Sequence, residues 1–277
     1  PARQVTRNLF RLARIALLPA TDPMPRTEAE MATQWWSSAD GKRDAVWRDR
    51  ARLLSNLARQ TLAGPDFLDV STQPAQAIDA LVRSGTLRSL GASRVSFRHD
   101  VLREWAIACA LREDAGLIDL LGLKHPAPAT HARGTELAAR MILESASDGA
   151  QWNGLLVRLS GDGAHKSWRR AALLAPVRSE AAAALLARIQ SILFSDRAVL
   201  LRELLRTVMA VEVVPASKAF AIPGVGPDLI PTSLMIPKGP AWLDLVLWLL
   251  RIGEGVPAEA IPEVTDLYTN FSVGTLG

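Results

Sequence analysis

Val95-Ser96-Phe97-Arg98-His99-Asp100-Val101-Leu102-Arg103-Glu104-Trp105-Ala106-Ile107-Ala108 is the stretch that decides the fold. A short β-like segment ends in Phe-x-His, and an amphipathic helix opens at once, over about 99–112. Before it, Leu87, Leu90, Val95 and Phe97 supply two short strands around Gly91-Ala92-Ser93. Before those strands runs a helix over about 73–84. Ser71 or Thr72 is placed to cap it, Pro74 falls in its first turn and Gly85 lies just past its end. A hairpin set among three helices is the winged-helix plan, and it assigns residues 64–115 to one domain.

Upstream, residues 4–18 space Val5, Leu9, Leu12, Ala13 and Ala16 helically, with Arg7, Arg11 and Arg14 on another face. Pro19, Pro23 and Pro25 end that helix. Thr27-Glu28-Ala29-Glu30 reads as a capping box that starts a helix through Trp36. A strong amphipathic helix over 44–63 follows, with Val46, Trp47, Leu53, Leu54, Leu57 and Leu62 as its stripe. Gly64-Pro65 stops it. Downstream of residue 115 apolar helices follow one another, over about 135–146, 149–159, 165–175, 179–194 and 196–211. Asp148, Ser179 and Asp196 are placed to cap three of them. No rigid period recurs, yet consecutive helices with short breaks suggest an irregular α-solenoid of the HEAT or armadillo kind. Residues 215–240 hold six prolines and three glycines and carry no helical pattern. Two helices, about 241–252 and 258–270, close the sequence.

Apolar residues make up 49% of the 277, enough for a real core, which argues against wholesale disorder. Sparse aromatic and β-branched residues favour helix. Cys109, the single cysteine, sits on an apolar face, cannot form an internal disulfide, and fits an inert thiol in a reducing, cytoplasmic compartment. The longest apolar helices, 181–194 and 242–252, fall short of the ~20 residues that span a bilayer. No membrane association is expected. Net charge is +4, and the excess lies early: residues 1–60 carry 11 Lys/Arg against 6 Asp/Glu. Such a surface suits nucleotide phosphates or an acidic neighbour at least as well as nucleic acid.

Chemistry-bearing motifs are scarce. Gly161-Asp162-Gly163-Ala164-His165-Lys166-Ser167 has a P-loop flavour, but the glycine positions before Lys166 are filled by His165 and Ser160. It reads as a turn between helices. Gly224-Val225-Gly226 is flanked by prolines and opens no helix. His125 and His131 lack a ligand spacing, and one cysteine excludes the usual zinc patterns. Asp and Glu read as single, solvated residues. No metal site and no catalytic residue is expected in this chain.

His99 carries the functional expectation. By periodicity alone it borders or caps a helix start. The arrangement of helix, hairpin and Phe97-Arg98-His99 resembles the winged-helix part of the STAND class of signalling NTPases, the NACHT-like ones in particular. Arg7-Asn8-Leu9-Phe10-Arg11-Leu12 is similar to the first helix of the lid that follows their ATPase core. The 31–36 and 53–62 helices are similar to the region linking lid and winged helix. Pro237-Lys238-Gly239-Pro240-Ala241-Trp242 looks like the start of the helical arrays that follow such modules.

The resemblance implies a mainly α fold: a helical lid (1–63), a winged helix with a small β-hairpin (64–115) and an α-helical repeat region (116–277). It implies that His99 touches the terminal phosphate of bound ADP and holds a closed, resting state. ADP or ATP with Mg would be held by a P-loop ATPase module upstream in the same protein, since this chain lacks a P-loop, an acidic Mg-binding strand and an arginine sensor. The sequence, starting at Pro1, reads as an excerpt of that longer protein. A protein trigger on the helical array, homo-oligomerisation on activation and a setting in bacterial anti-phage defence complete what the resemblance implies. The alternatives are a winged-helix DNA-binding regulator with a helical effector domain, and a helical scaffold. The groove-reading helix would carry only Arg83 against Asp79, so nucleic acid is not an expected partner.

Overall fold

Alanine- and leucine-rich segments bury little polar surface and lose little side-chain freedom in a helix, and helices dominate the chain. The computed structural model describes residues 15–16, 23–41, 43–216 and 235–275. The lid segment Arg7–Leu12 and most of the proline-rich 215–240 stretch lie outside the described residues. The described residues fall into two compact units, one within Pro1–Ala146 and Ala150–Ala175, the other within Ser147–Gly149 and Pro176–Gly277. The composition change at residue 115 does not coincide with that division. Within the first unit the 3₁₀ turn at 115–120 and the helix at 129–145 pack onto helices before residue 115.

The first unit runs α1 (Glu28–Ser38), α2 (Trp47–Ala63), β1 (Leu68–Asp69), α3 (Ala75–Arg83), β2 (Leu87–Gly91), β3 (Arg94–Phe97) and α4 (Asp100–Glu113). A 3₁₀ turn (Ala115–Leu120), α5 (Ala129–Ser145), α6 (Ala150–Arg158) and α7 (Lys166–Leu173) follow. Thr27 caps α1 by accepting from the Glu30 amide at 3.1 Å. The returning arm differs from a capping box: the Glu30 carboxylate accepts from the Arg26 amide instead of from Thr27. In α2, Leu53, Leu54, Leu57 and Leu62 are buried as the stripe predicts, while Val46 and Trp47 are only half-buried. At the start of α3 the cap position is held by Pro74, not by Ser71 or Thr72.

The small sheet is antiparallel with strand order β1-β3-β2. The hairpin turn runs Gly91, Ala92 and Ser93 through positive φ values of 80°, 46° and 60°. Leu90 lies in the strand as read and is 48% exposed beside the bulge. The third strand, β1, is only two residues long, too short to leave an alternation in sequence.

Helix α4 corrects the expectation of an amphipathic helix. Leu102 and every residue from Trp105 to Leu111 are buried. Helices α1, α2 and α5 all pack against α4, so this part of it has no water-facing side. Ala106, Ala108 and Ala110 make such close surrounding possible. The tightest approach is at Gly134 of α5, where an added Cβ would stand 2.4 Å from Ile107 Cγ2 and 3.2 Å from the Glu104 carbonyl oxygen. Cys109 is buried, its thiol 3.7 Å from the Ala32 carbonyl oxygen, and burial pushes its pKa well above the usual thiol range.

The second unit contains α9 (Ala182–Val211), β4 (Val213–Pro215), β5 (Met235–Pro237), α10 (Pro240–Ile252) and α11 (Ile261–Thr275); the short helical turn α8 (Ala175–Arg178) spans the division between the units. Ser179 Oγ accepts from the Ala181 amide at 3.0 Å in the turn before α9, but the cap position is held by Ala181, not by Ser179, and no side chain caps the helix there. Sequence reading places two helices across 179–211, and α9 is broken where they meet. Ser195 is extended, and Asp196, Arg197 and Ala198 take positive φ of 48°, 56° and 55°. Asp196 therefore does not cap the second half. The extended residue before the break is Ser195, whose hydroxyl donates back to the Ile192 carbonyl at 2.7 Å. Strands β4 and β5 pair antiparallel and bring Trp242 onto the Glu212 carbonyl, to which its indole N–H donates. No helix among the described residues is long and apolar enough to cross a membrane.

Gly134→Ala should lower stability by about 1–3 kcal/mol, because the new methyl overpacks the α4–α5 crossing. Urea unfolding should show the loss as a lower midpoint at unchanged slope. Combined with Ile107→Ala, the two losses should fall short of their sum; strict additivity would contradict the close contact.

Candidate functional site

His99 stands where β3 gives way to α4. Phe97 is buried and ties the strand to the core, and the Arg98 amide donates to the buried Thr86 carbonyl at 2.9 Å. His99 then keeps extended backbone angles, φ −130° and ψ 144°, at the cap position of α4. Its carbonyl accepts from the amides of Leu102 at 3.1 Å and Arg103 at 3.3 Å, which starts the helix. The imidazole makes no capping hydrogen bond, and the residue is exposed together with Arg98 and Asp100. Sequence reading leaves two roles open for His99, a helix-start residue or a sensor. The structure puts it at the helix start with its side chain outside the capping geometry.

The position of His99 is set by what lies behind it. Arg103 donates to Asp66 at 3.1 Å and lies 3.6 Å from Asp100, so the first turn of α4 is fastened to the loop after α2. Leu102 and Trp105 are fully buried beneath it. Trp105 lies 5.9 Å from Trp35, ring centre to ring centre, and its indole N–H donates to Glu28 Oε1 at 3.2 Å. Of the Trp35-Trp36 pair, Trp35 packs in the core, while half-buried Trp36 donates to Glu113 at 2.7 Å.

A buried ionic cluster was missed by sequence reading, which took the acidic residues as single and solvated. Glu28 of α1 is 2% exposed, Glu136 0% and Arg140 1%, the latter two on α5. Arg133 bridges Glu28 and Glu136 through its two terminal nitrogens. Arg140 Nη1 lies 3.2 Å from Glu28 Oε2 and 3.6 Å from Glu136 Oε1. Arg133, Glu136 and Arg140 recur at i, i+3 and i+7, the spacing of one helix face, and that was the signal available. Glu104, five residues into the chain from His99, sits at the edge of this cluster. Burial pushes its carboxyl up to about 7; Arg133 opposes the shift, and Glu28, Asp100 and Glu136 add to it.

The remaining histidines do not converge. His131 Nε2 lies 3.1 Å from the Thr61 carbonyl oxygen, with its ring edge-on to Trp168, and His165 Nδ1 accepts from the Ser167 amide at 3.3 Å to cap α7. The Gly161–Ser167 stretch is thus a helix-connecting turn that ends in a histidine cap. No group of three or more His, Cys, Asp or Glu among the described residues is placed to hold a metal ion.

In the second unit α10 is apolar on two sides. Trp242, Leu245, Val246 and Leu249 face inward, while Leu243, Leu247 and Leu250 are 48%, 47% and 62% exposed. The exposed three recur at i, i+4 and i+7 and form one continuous stripe. Compared with known proteins, the chain matches no family model and no curated protein.

Glu104 makes stability depend on pH. Its folded-state pKa of about 7 lies above the ordinary 4.5, so its contribution is fully present below about pH 4.5 and is lost as pH rises through 7. The unfolding midpoint should fall between those values, and Glu104→Gln should flatten that fall and exceed the parent at pH 8. An equal slope in both proteins would show that another group titrates.

Proposed function

We propose that this chain is the regulatory and sensor segment of a nucleotide-switched STAND-class, NACHT-like signalling NTPase. The observation that carries the reading is His99: exposed, at the mouth of α4, with an imidazole that does not cap its own helix. An imidazole N–H beside a helix start is a good donor to an anionic oxygen. In this reading His99 donates to the terminal phosphate of ADP held by a P-loop ATPase module upstream in the same protein. The nucleotide, with Mg, supplies the switch, and this chain supplies the contact that reads it. Losing the contact releases the resting state and permits homo-oligomerisation.

The element order α2-β1-α3-β2-β3 with sheet order β1-β3-β2 supports a winged helix at the centre of the segment. The consecutive helices after α4 support an irregular HEAT- or armadillo-like array. The exposed Leu243, Leu247 and Leu250 stripe suits a protein trigger on that array. The proposal places the protein in the cytoplasm and keeps anti-phage defence as its setting. A DNA-binding role is less well supported. The surface of α3 offers Gln76, Asp79 and Arg83, and Arg83 Nε is engaged with the Asp79 carbonyl at 3.2 Å. Groove readers need more donors and phosphate clamps than this.

His99→Ala in the full-length natural protein should weaken ADP binding about 5–150-fold, the range that a single coupling contact supplies. Titration calorimetry measures it, with the unfolding midpoint of the variant followed alongside to separate a binding loss from a folding loss. Unchanged ADP affinity would overturn the sensor role.

A further inference from the structure

Helices α4, α5 and α6 and the 3₁₀ turn line a cavity of about 440 Å³, open to solvent on one side, in the first unit. Its size is that of a site for a small organic ligand. Leu111, Ile118, Ala138, Ile142 and Leu155 make its wall largely apolar. Two cations line it, Arg112 from the last turn of α4 and Arg158 from the end of α6. Among the described residues no carboxylate lines the cavity. The contacts of these arginines outside it are slight. Arg112 Nη1 reaches Thr33 Oγ1 at 3.4 Å, and Arg158 Nη2 reaches Asp119, itself 81% exposed, at 3.4 Å. Exposed pairs at that distance contribute little. Thr135 on the wall is 1% exposed, and its hydroxyl makes no hydrogen bond among the described residues.

Apolar walls with two cations and no acid fit one class of ligand. We infer that this cavity binds a small aliphatic carboxylate, with its chain against the helix walls and its head group on Arg112 and Arg158. The guanidinium forks match a carboxylate geometrically, and charge-assisted bonds of this kind are stronger than neutral ones. The inference is independent of the nucleotide reading, since none of these residues touches His99's role.

Gly154 is a wall position at which a larger side chain can be introduced. It lies on the cavity wall within α6, and an added Cβ meets nothing within 4 Å. Leucine is also a better helix former than glycine. Calorimetry of the full chain with decanoate should give one saturable site with Kd below about 1 mM. Decyltrimethylammonium, of the same chain length and opposite charge, should bind at least about tenfold more weakly. Arg112→Gln with Arg158→Gln should weaken decanoate at least about tenfold. Gly154→Leu should abolish binding while its unfolding midpoint holds or rises. Absence of decanoate binding, equal binding of the cationic amphiphile, or undiminished binding by Gly154→Leu would each overturn the proposal.

Discussion

The buried carboxylate of Glu28 constrains the whole first unit. It comes from the first turn of α1, receives the Trp105 indole from α4, and meets Arg133 and Arg140 of α5. Three helices distant in sequence are thereby fixed around one charge. A buried carboxylate is tolerable only while its partners are in place; removing one partner from such a cluster typically costs about 3–5 kcal/mol. Gly134, next to Arg133 on α5, is where α5 comes closest to α4.

Helix α4 ties this core to both candidate sites. His99 opens it at the surface, Glu104 and Trp105 face the ionic cluster, and Arg112 reaches the cavity from its last turn. A helix of 14 residues spans about 21 Å. Because α4 is buried all round through its central stretch, it can shift only if α1, α2 and α5 repack with it. That is the property a reporting element needs: a contact made at its exposed end is resisted by the entire core.

The helices, the hairpin and the place of His99 were legible because each leaves a local mark. Leucine spacing marks α2, Gly91-Ala92-Ser93 marks the hairpin turn, and Phe97-Arg98-His99 marks the strand-to-helix change. What stayed hidden is tertiary. Glu28, Glu136 and Arg140 look like surface residues until α1 and α5 are brought together. The burial of α4 on all sides depends on three neighbours that its own periodicity cannot announce. Strand β1 is too short to show a period. The break in α9 was legible as the gap between two helices, but not its form, three left-handed residues of which none is glycine. The cavity needs residues 111–158 folded together, so no single segment points to it.

Reading the natural coding sequence for several hundred residues upstream of Pro1 tests the central claim most directly. The account predicts a strand followed by G-x-x-x-x-G-K-[ST], with an acidic strand beyond it, in the same reading frame. A frame that continues upstream without that motif, or one that opens close to Pro1, would contradict it and leave His99 as a helix-start residue.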